Sequence, residues 1–419
     1  MIALLGTVVD SAGIRRDAAV LVEGGRILDI IPRDRLREYN ADEVYGDEGY
    51  LILPGFVNSH THVAMSKFRG FGEDLPTEEW LNDAIWPAEL EWNPKEIRRW
   101  ALLGMAEALA NGSMTINDHY FFADEIAKAA RELGIRAFIG QTMMDEVDFP
   151  LAKPEEGFRF FKRWDGKSGL VGPTLAPHAT NTVSLELMKE IGEFASERKA
   201  LVHVHLSQSR GEVETVKRRY GITPVEYLER AGVLNERLIG VHGIYLSGKE
   251  VELYSRSGAT LVHCSLSMAK LEGRIAPIIE LAENGTNIAL GNDSPNPVGL
   301  MDMFTEMRFA AVLNKVWRRR TNVASAIEVF RWATLGGARA LRLKAGLVKP
   351  GYLADLVLLN ARKPQFLPGA NPYSHVVYSA RGSDVELVMV NGKVVYRNGL
   401  FTKIGKTPEE LWGEFSKPS

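Results

Sequence analysis

Short apolar runs alternate with longer amphipathic segments through the middle of this 419-residue chain, and eight of its nine histidines fall near the ends of those runs. The runs close near His60, His119, Gln141, His178, His205, His242, Cys264 and Asp293. Between them lie helical patterns, such as residues 96–110, 124–133, 185–197 and 275–283, whose apolar positions return every three to four residues. Each strand–helix pair returns the chain to a parallel strand. Eight of them predict an α/β fold, a (β/α)8 TIM barrel of the usual size of about 250 residues, over 55–345.

The two ends have a different rhythm. Residues 18–31 (AAVLVEGGRILDII) alternate apolar and polar around Gly24-Gly25, and residues 385–395 turn at Asn391-Gly392, with a further turn at Asn398-Gly399. Neither end can make a stable sheet alone. Residues 1–54 and 346–419 are therefore expected to pair into one composite β-sandwich domain, with Pro54-Gly55 as the hinge to the barrel. Thr407-Pro408-Glu409-Glu410 has the spacing of a capping box opening a last helix.

Composition narrows the function. A formal net charge of −3 gives no electrostatic footprint for nucleic acid or an anionic membrane, and Arg318-Arg319-Arg320 reads as a solvated helix face. No apolar run approaches the roughly 18 residues that span a bilayer. The start, MIALLGTVVD, lacks the basic region and cleavage site of a secretory leader, so the cytoplasm is expected. The single cysteine, Cys264, rules out an intramolecular disulfide and the Cys-x-x-Cys zinc site of nucleic-acid-editing deaminases. No H-E-x-x-H occurs, which leaves a zincin protease unsupported. Only three glutamines occur, Gln141, Gln208 and Gln365, a thermolabile type that makes each worth attention.

In a TIM barrel the strand ends converge on one mouth. His60-Thr61-His62 closes the first barrel strand, and residues i and i+2 of a strand face the same side, so both imidazoles can chelate one ion. His205 and Asp293 complete a set of three nitrogens and a carboxylate that suits one divalent metal, zinc first and iron as the alternative. Such an ion lowers the pKa of coordinated water to about 7. Asp293 can take the proton of that water, and His242 is placed to donate or shuttle another. His178 is expected to touch substrate. His119 divides evenly between substrate contact and packing, His203 reads as a buried structural histidine one layer deeper, His263 as a support of the mouth, and Cys264 as a small packed hydrophobe.

Taken together and in order, PGFVNSHTH, EDLPTEEWLNDAIWP, GRIAPIIELAENGTNIALGNDSP, MDMFTEMR and GLVKPGYLADLVLLN resemble the amidohydrolase superfamily, in its methylthioadenosine/S-adenosylhomocysteine deaminase and triazine chlorohydrolase group. The resemblance implies a single catalytic metal on His60, His62, His205 and Asp293, a substrate-facing tryptophan at Trp80 and a substrate histidine at His178. It also implies a homo-oligomer. The strand-four run GPTLAPHAT has no lysine of the kind that bridges two metals in other relatives.

Two departures stand out. The family's deaminases carry a proton-passing glutamate three residues after the strand-five histidine, where this chain has Gln208, and an amide cannot pass that proton although it can hydrogen-bond substrate. Glu212 is nearby, but Ser209-Arg210-Gly211-Glu212 reads as a capping box. Gln141 stands where the S-adenosylhomocysteine branch places an arginine, and is taken as a substrate-binding position beside Trp80, His178 and His119. The expected activity is metal-dependent hydrolysis at a C–N bond of a small purine-, pterin- or triazine-like molecule, most simply deamination. Because of Gln208, a different leaving group (chloride, or a cyclic amide) is the alternative. A metal-retaining binding protein without catalysis is the reading from another class.

Overall fold

A strand buried on both faces must be apolar nearly throughout, whereas one with a wet face alternates, and this contrast separates the two sheets of the protein. The computed structural model describes residues 1–167 and 169–416. Its strands are β1 (Ile2–Asp10), β2 (Gly13–Glu23), β3 (Arg26–Pro32), β4 (Glu43–Pro54), β5 (Phe56–Thr61), β6 (Ser113–Tyr120), β7 (Arg136–Met143), β8 (Val171–Pro177), β9 (Val202–Leu206), β10 (Leu238–His242), β11 (Thr260–His263), β12 (Asn287–Leu290), β13 (Leu356–Asn360), β14 (Val385–Val390), β15 (Lys393–Arg397) and β16 (Leu400–Phe401).

Strands β5 to β12 are hydrogen-bonded in chain order and parallel, and a parallel bridge between Thr61 and Asp293 joins the two outer strands into a barrel. The predicted strand ends and helical stretches are where the periodicity put them. The helices Pro94–Ala110, Ala123–Leu133, Leu185–Arg198 and Ile278–Glu283 lie between barrel strands. Among the described residues no helix is long and apolar enough to cross a membrane.

Both chain ends meet in the second sheet, ordered β16-β15-β14-β13-β4-β1-β2-β3. Strand β4 accepts β1 in parallel on one side and β13 antiparallel on the other, so hydrogen bonding is continuous through all eight strands. The expected sandwich is thus one sheet curled onto itself. Its two hairpin turns touch: a Cβ on Gly392 would lie 2.8 Å from the Gly25 Cα, so both turns need glycine. Leu4, Val20, Ile52, Leu358 and Met389 fill one core inside the curl. The terminal capping box forms as predicted, with Thr407 and Glu410 exchanging hydrogen bonds at the start of Pro408–Phe415.

Sheet and barrel are tied by a buried ion pair. Arg136, at the start of β7, donates Nε and Nη2 to the two carboxylate oxygens of Asp355, each at 3.1 Å, and Asp355 Oδ1 also accepts the Asn391 amide of the C-terminal hairpin. Removing one partner of a buried pair leaves an uncompensated charge. Arg136→Ala should therefore cost about 3–5 kcal/mol of stability in denaturant unfolding. Arg35→Ala, which breaks the exposed pair with Glu38, should leave the unfolding midpoint nearly unchanged in the same measurement.

Candidate active site

The barrel closes through its own mouth. Asp293 N–H, just after β12, donates to the His60 carbonyl of β5 at 2.9 Å. Asn58 and Asn292 brace the seam: the Asn292 amide N–H donates to Asn58 Oδ1 and Asn58 Nδ2 donates to Asn292 Oδ1, both at 2.8 Å. A Cβ on Gly291 would stand 2.8 Å from the His60 nitrogen, so the approach requires glycine there. Ser207, His242 and Asp293 all adopt left-handed φ, of 47°, 77° and 69°. Such backbone costs of order 1–3 kcal/mol in a non-glycine residue and collects at functional sites.

Ring nitrogens of His60, His62 and His205 converge, and His60, His242 and Asp293 form an overlapping group, the ligand atoms of each group lying within 4.8 Å of one another. The outer nitrogens are engaged. His62 Nδ1 donates to the His119 carbonyl and His205 Nδ1 to the His178 carbonyl, each at 2.6 Å. A carbonyl only accepts, so both rings carry a proton on Nδ1 and turn Nε2 toward the site. His60 Nδ1 lies 2.9 Å from His203 Nε2, and its own Nε2 is buried without a partner. Nε2 of His60 and of His62 each stand 3.4 Å from Asp293 Oδ1. These donors fit a divalent metal, and the chain has a His/Asp metal-binding site at its barrel mouth.

Burial sets the charges. It pushes His60 down to about 4 and His178 and His242 down to about 3, so these imidazoles are neutral near pH 7. His119, His203 and His205 are also held well below their ordinary value, first by burial and then by neighbouring histidines. Burial would raise Asp293, but contact with His60 and the nearby His242 and His62 outweigh it and keep the carboxylate ionised. Ser267 Oγ donates to Asp293 Oδ2 at 2.6 Å and the Ser294 amide to Oδ1 at 2.8 Å.

Above these groups lies a cavity walled by Trp80, Trp86, His119, His178, Gln208 and His242 among others. Trp80 Nε1 donates to Asn296 Oδ1 at 2.6 Å, so the indole offers its face, not its N–H. His178 Nδ1 pairs with Thr182 Oγ1 at 2.9 Å. His119 stacks on His205, 4.8 Å between centroids, with both ring nitrogens unpartnered. His263 is buried beside Asn314 and Cys264 is fully buried, both away from the cavity wall.

Two sequence expectations are corrected. Gln141 does not reach the cavity: its Oε1 accepts from the Ala123 amide and its Nε2 donates to the Leu151 carbonyl. Strand β7 alternates, and Thr142, one residue on, is the position that faces the cavity. The second concerns Glu212. Ser209 caps the helix Arg210–Tyr220, but Glu212 does not return to Ser209 and instead accepts the Ser207 and Gln208 amides at 2.9 and 2.8 Å. It pins the loop that aims Gln208.

Sequence reasoning missed Glu89, which lines the cavity and accepts from the Tyr120 hydroxyl, itself bonded to Trp92 Nε1. Burial raises the Glu89 carboxyl to about 8, so it is protonated near neutral pH. A lone acid in the otherwise apolar AIWPAEL was the available signal. Asp118 was missed as well: it accepts from Thr61 Oγ1 and the Val63 amide, both at 2.8 Å, and so clamps the backbone on either side of His62.

The sequence model for the amidohydrolase family matches residues 51–395. The chain belongs to the amidohydrolase family. It is 40% identical over 395 residues to the 5'-deoxyadenosine deaminase of Methanothermobacter thermautotrophicus, covering 94% of this chain and 92% of that one. It is 38% identical over 403 residues to the 5-methylthioadenosine/S-adenosylhomocysteine deaminase of Pyrococcus furiosus, covering 95% and 94%. Among solved structures, a zinc-bound adenosine deaminase from Xanthomonas campestris superposes with a TM-score of 0.92 at 29% identity, covering 99% of this chain and 96% of that one. This amidohydrolase is a hydrolytic enzyme acting on C–N bonds.

The buried imidazoles give the metal-free amidohydrolase a specific acid sensitivity. Seven histidines (His60, His119, His178, His203, His205, His242 and His263) titrate below the ordinary 6.5. Between pH 6.5 and about 4 the unfolded chain binds protons that the native state refuses, so stability falls as pH falls. Five raised carboxyls (Glu89, Asp118, Glu212, Asp302 and Glu306) act in the opposite sense but are fewer. The Tm of metal-free protein should drop by roughly 5 °C or more from pH 7 to pH 5. A flat profile would contradict this charge assignment.

Proposed function

We propose that this amidohydrolase is a cytoplasmic enzyme with one zinc ion per chain that hydrolyses the exocyclic amine from a purine-nucleoside-like heterocycle, releasing ammonia. The observation that carries the reading is the set of inward-facing imidazole nitrogens around a fixed Asp293 carboxylate beneath a cavity walled by Trp80 and Trp86. Relatives at 38–40% identity over more than nine-tenths of the chain bear the names of adenine-nucleoside deaminases.

His60, His62, His205 and Asp293 would hold the metal, which when bound activates water for attack at neutral pH. Asp293 has one oxygen fixed by Ser267 and the other facing the ring nitrogens, so it serves as the base. His242, neutral and with both nitrogens unpartnered, holds and orients the reacting groups by hydrogen bonding. Trp80 and Trp86 offer faces to the planar ring, and His119, His178 and Gln208 offer polar contacts at its edge. The protonated Glu89 carboxyl can meet a hydroxyl of the remaining part of the substrate.

A lone buried cysteine, with no disulfide requiring an oxidising compartment, supports the cytoplasm. Homo-oligomerisation is supported by the exposed apolar side chains of Phe309, Val312, Val316 and Trp317 along the helix Met303–Arg318.

The second reading, a leaving group that needs little protonation, is favoured by one observation. Glu212 is committed to the Ser207 and Gln208 amides and to Thr180, so it does not stand in for the acid that Gln208 replaces. Gln208→Glu separates the two. It is expected to lower the native activity, because it puts a charge where a neutral amide faces substrate. A rise in ammonia release would show instead that the site still runs on a carboxylate proton relay.

Elemental analysis should find close to one metal per chain, with most of it lost in His60→Ala or His205→Ala. S-Adenosylhomocysteine should be turned over roughly 10–100-fold less efficiently than 5'-deoxyadenosine, since among the described residues no lysine or arginine lines the cavity and Arg219 in the adjoining recess is paired with Glu146. Equal kcat/KM for the two compounds would overturn that expectation.

A further inference from the structure

Each of the three inward-facing imidazoles is oriented from behind, but not by the same kind of group. His62 and His205 donate to main-chain carbonyls, which no substitution removes and which can only accept. His60 alone is backed by a side chain, His203, at 2.9 Å between His60 Nδ1 and His203 Nε2. An imidazole can accept or donate there, so the pair has two neutral arrangements with the same two protons. In one, His60 Nδ1–H donates to His203 Nε2, and His203 carries its own proton on Nδ1. In the other, His203 Nε2–H donates to His60 Nδ1, and the His60 proton sits on Nε2, facing Asp293 Oδ1 at 3.4 Å. Only the first leaves His60 Nε2 free to bind a metal.

The first arrangement places the His203 N–H where no group among the described residues accepts it. His203 Nδ1 is buried without a partner, on a residue with no exposed surface. A buried polar atom left in this way is a cost to folding, and a purely packing residue at this depth of the barrel would carry no such atom. Strand alternation gives His203 the same inward face as His205, one layer below it, so it reaches His60 from beneath and not from the substrate side.

We propose that His203 is a positioning residue for the metal site: it fixes the tautomer and ring orientation of His60, and so sets the affinity of the chain for its divalent metal. The proposal rests on the reading of His60 as a ligand. Partners behind a metal-binding histidine commonly tune affinity 10–100-fold.

Glutamine and methionine are close in shape and differ in the carbonyl that can accept from His60 Nδ1–H. Metal-stripped wild type, His203→Gln, His203→Met and His60→Ala are titrated with zinc against a chromophoric chelator, and the Tm of each stripped protein is measured. His203→Met should weaken zinc binding about 10–100-fold while His203→Gln stays within a few-fold of wild type. The stripped Tm values of these two should lie within a few degrees of each other. Equal affinity in His203→Met and wild type would overturn the proposal, as would equal loss in the Met and Gln variants. Should His60→Ala bind zinc as tightly as wild type, the ligand reading of His60 falls and the role of His203 with it. Loss in His60→Ala without loss in His203→Met would overturn the role of His203 alone.

Discussion

The hydrogen bond from the Asp293 amide to the His60 carbonyl joins the last barrel strand to the first, and it joins them at two residues that meet in the metal site. Barrel closure and ligand geometry are therefore one constraint. Gly291 permits the approach, and the Asn58–Asn292 exchange of amide hydrogen bonds fixes its register. The left-handed backbone of Asp293 follows from the same seam: the chain leaves β12, bonds back to β5 and places its carboxylate beside Nε2 of both His60 and His62. A barrel closed one residue out of register would put the carboxylate on the other face of the strand.

Around this seam the protein gathers many imidazoles and lets burial keep them neutral. Crowded histidines would repel one another if protonated, and desolvation already disfavours their charged form, so the two effects act together. The outcome is a site with one ionised carboxylate among lone pairs, suited to a cation. The cap over it is tied to the same loop. Asn296, three residues after Asp293, accepts from Trp80 and donates to the Phe68 and Phe71 carbonyls. Trp80 is thus held relative to Asp293 by a short chain of hydrogen bonds, which keeps the aromatic wall and the donor set in a fixed relation.

The far end of the barrel does different work. Asp355 receives Arg136 from β7 and the Asn391 amide from the C-terminal hairpin, and its carbonyl accepts the Gly55 amide at the junction of β4 and β5. The first barrel strand is thereby anchored at its start by the curled sheet and at its end by Asp293. A strand held at both ends is a rigid support for His60 and His62, which is what a preorganised site requires.

The sequence by itself determined the barrel, its strand ends and the gathering of His60, His62, His205 and Asp293 at one mouth, because a two-residue strand period and strand-end histidines are local signals that the parallel barrel can satisfy in one way. It also determined the terminal hairpins, whose Gly24-Gly25 and Asn391-Gly392 turns need left-handed backbone. Tertiary structure decided what depends on parity and on distant partners. Gln141 ended on the outer face of β7 because one residue of register separates it from Thr142. Glu212 became a loop anchor because the Ser207 and Gln208 amides lay within its reach. Glu89 became a neutral acid of the cavity wall only because the cap buries it against Tyr120, and His203 became the partner of His60 only because the barrel closed. Local periodicity says which way a side chain points along its own strand. Which group it meets across the barrel, and in what dielectric, is fixed only when the strands close.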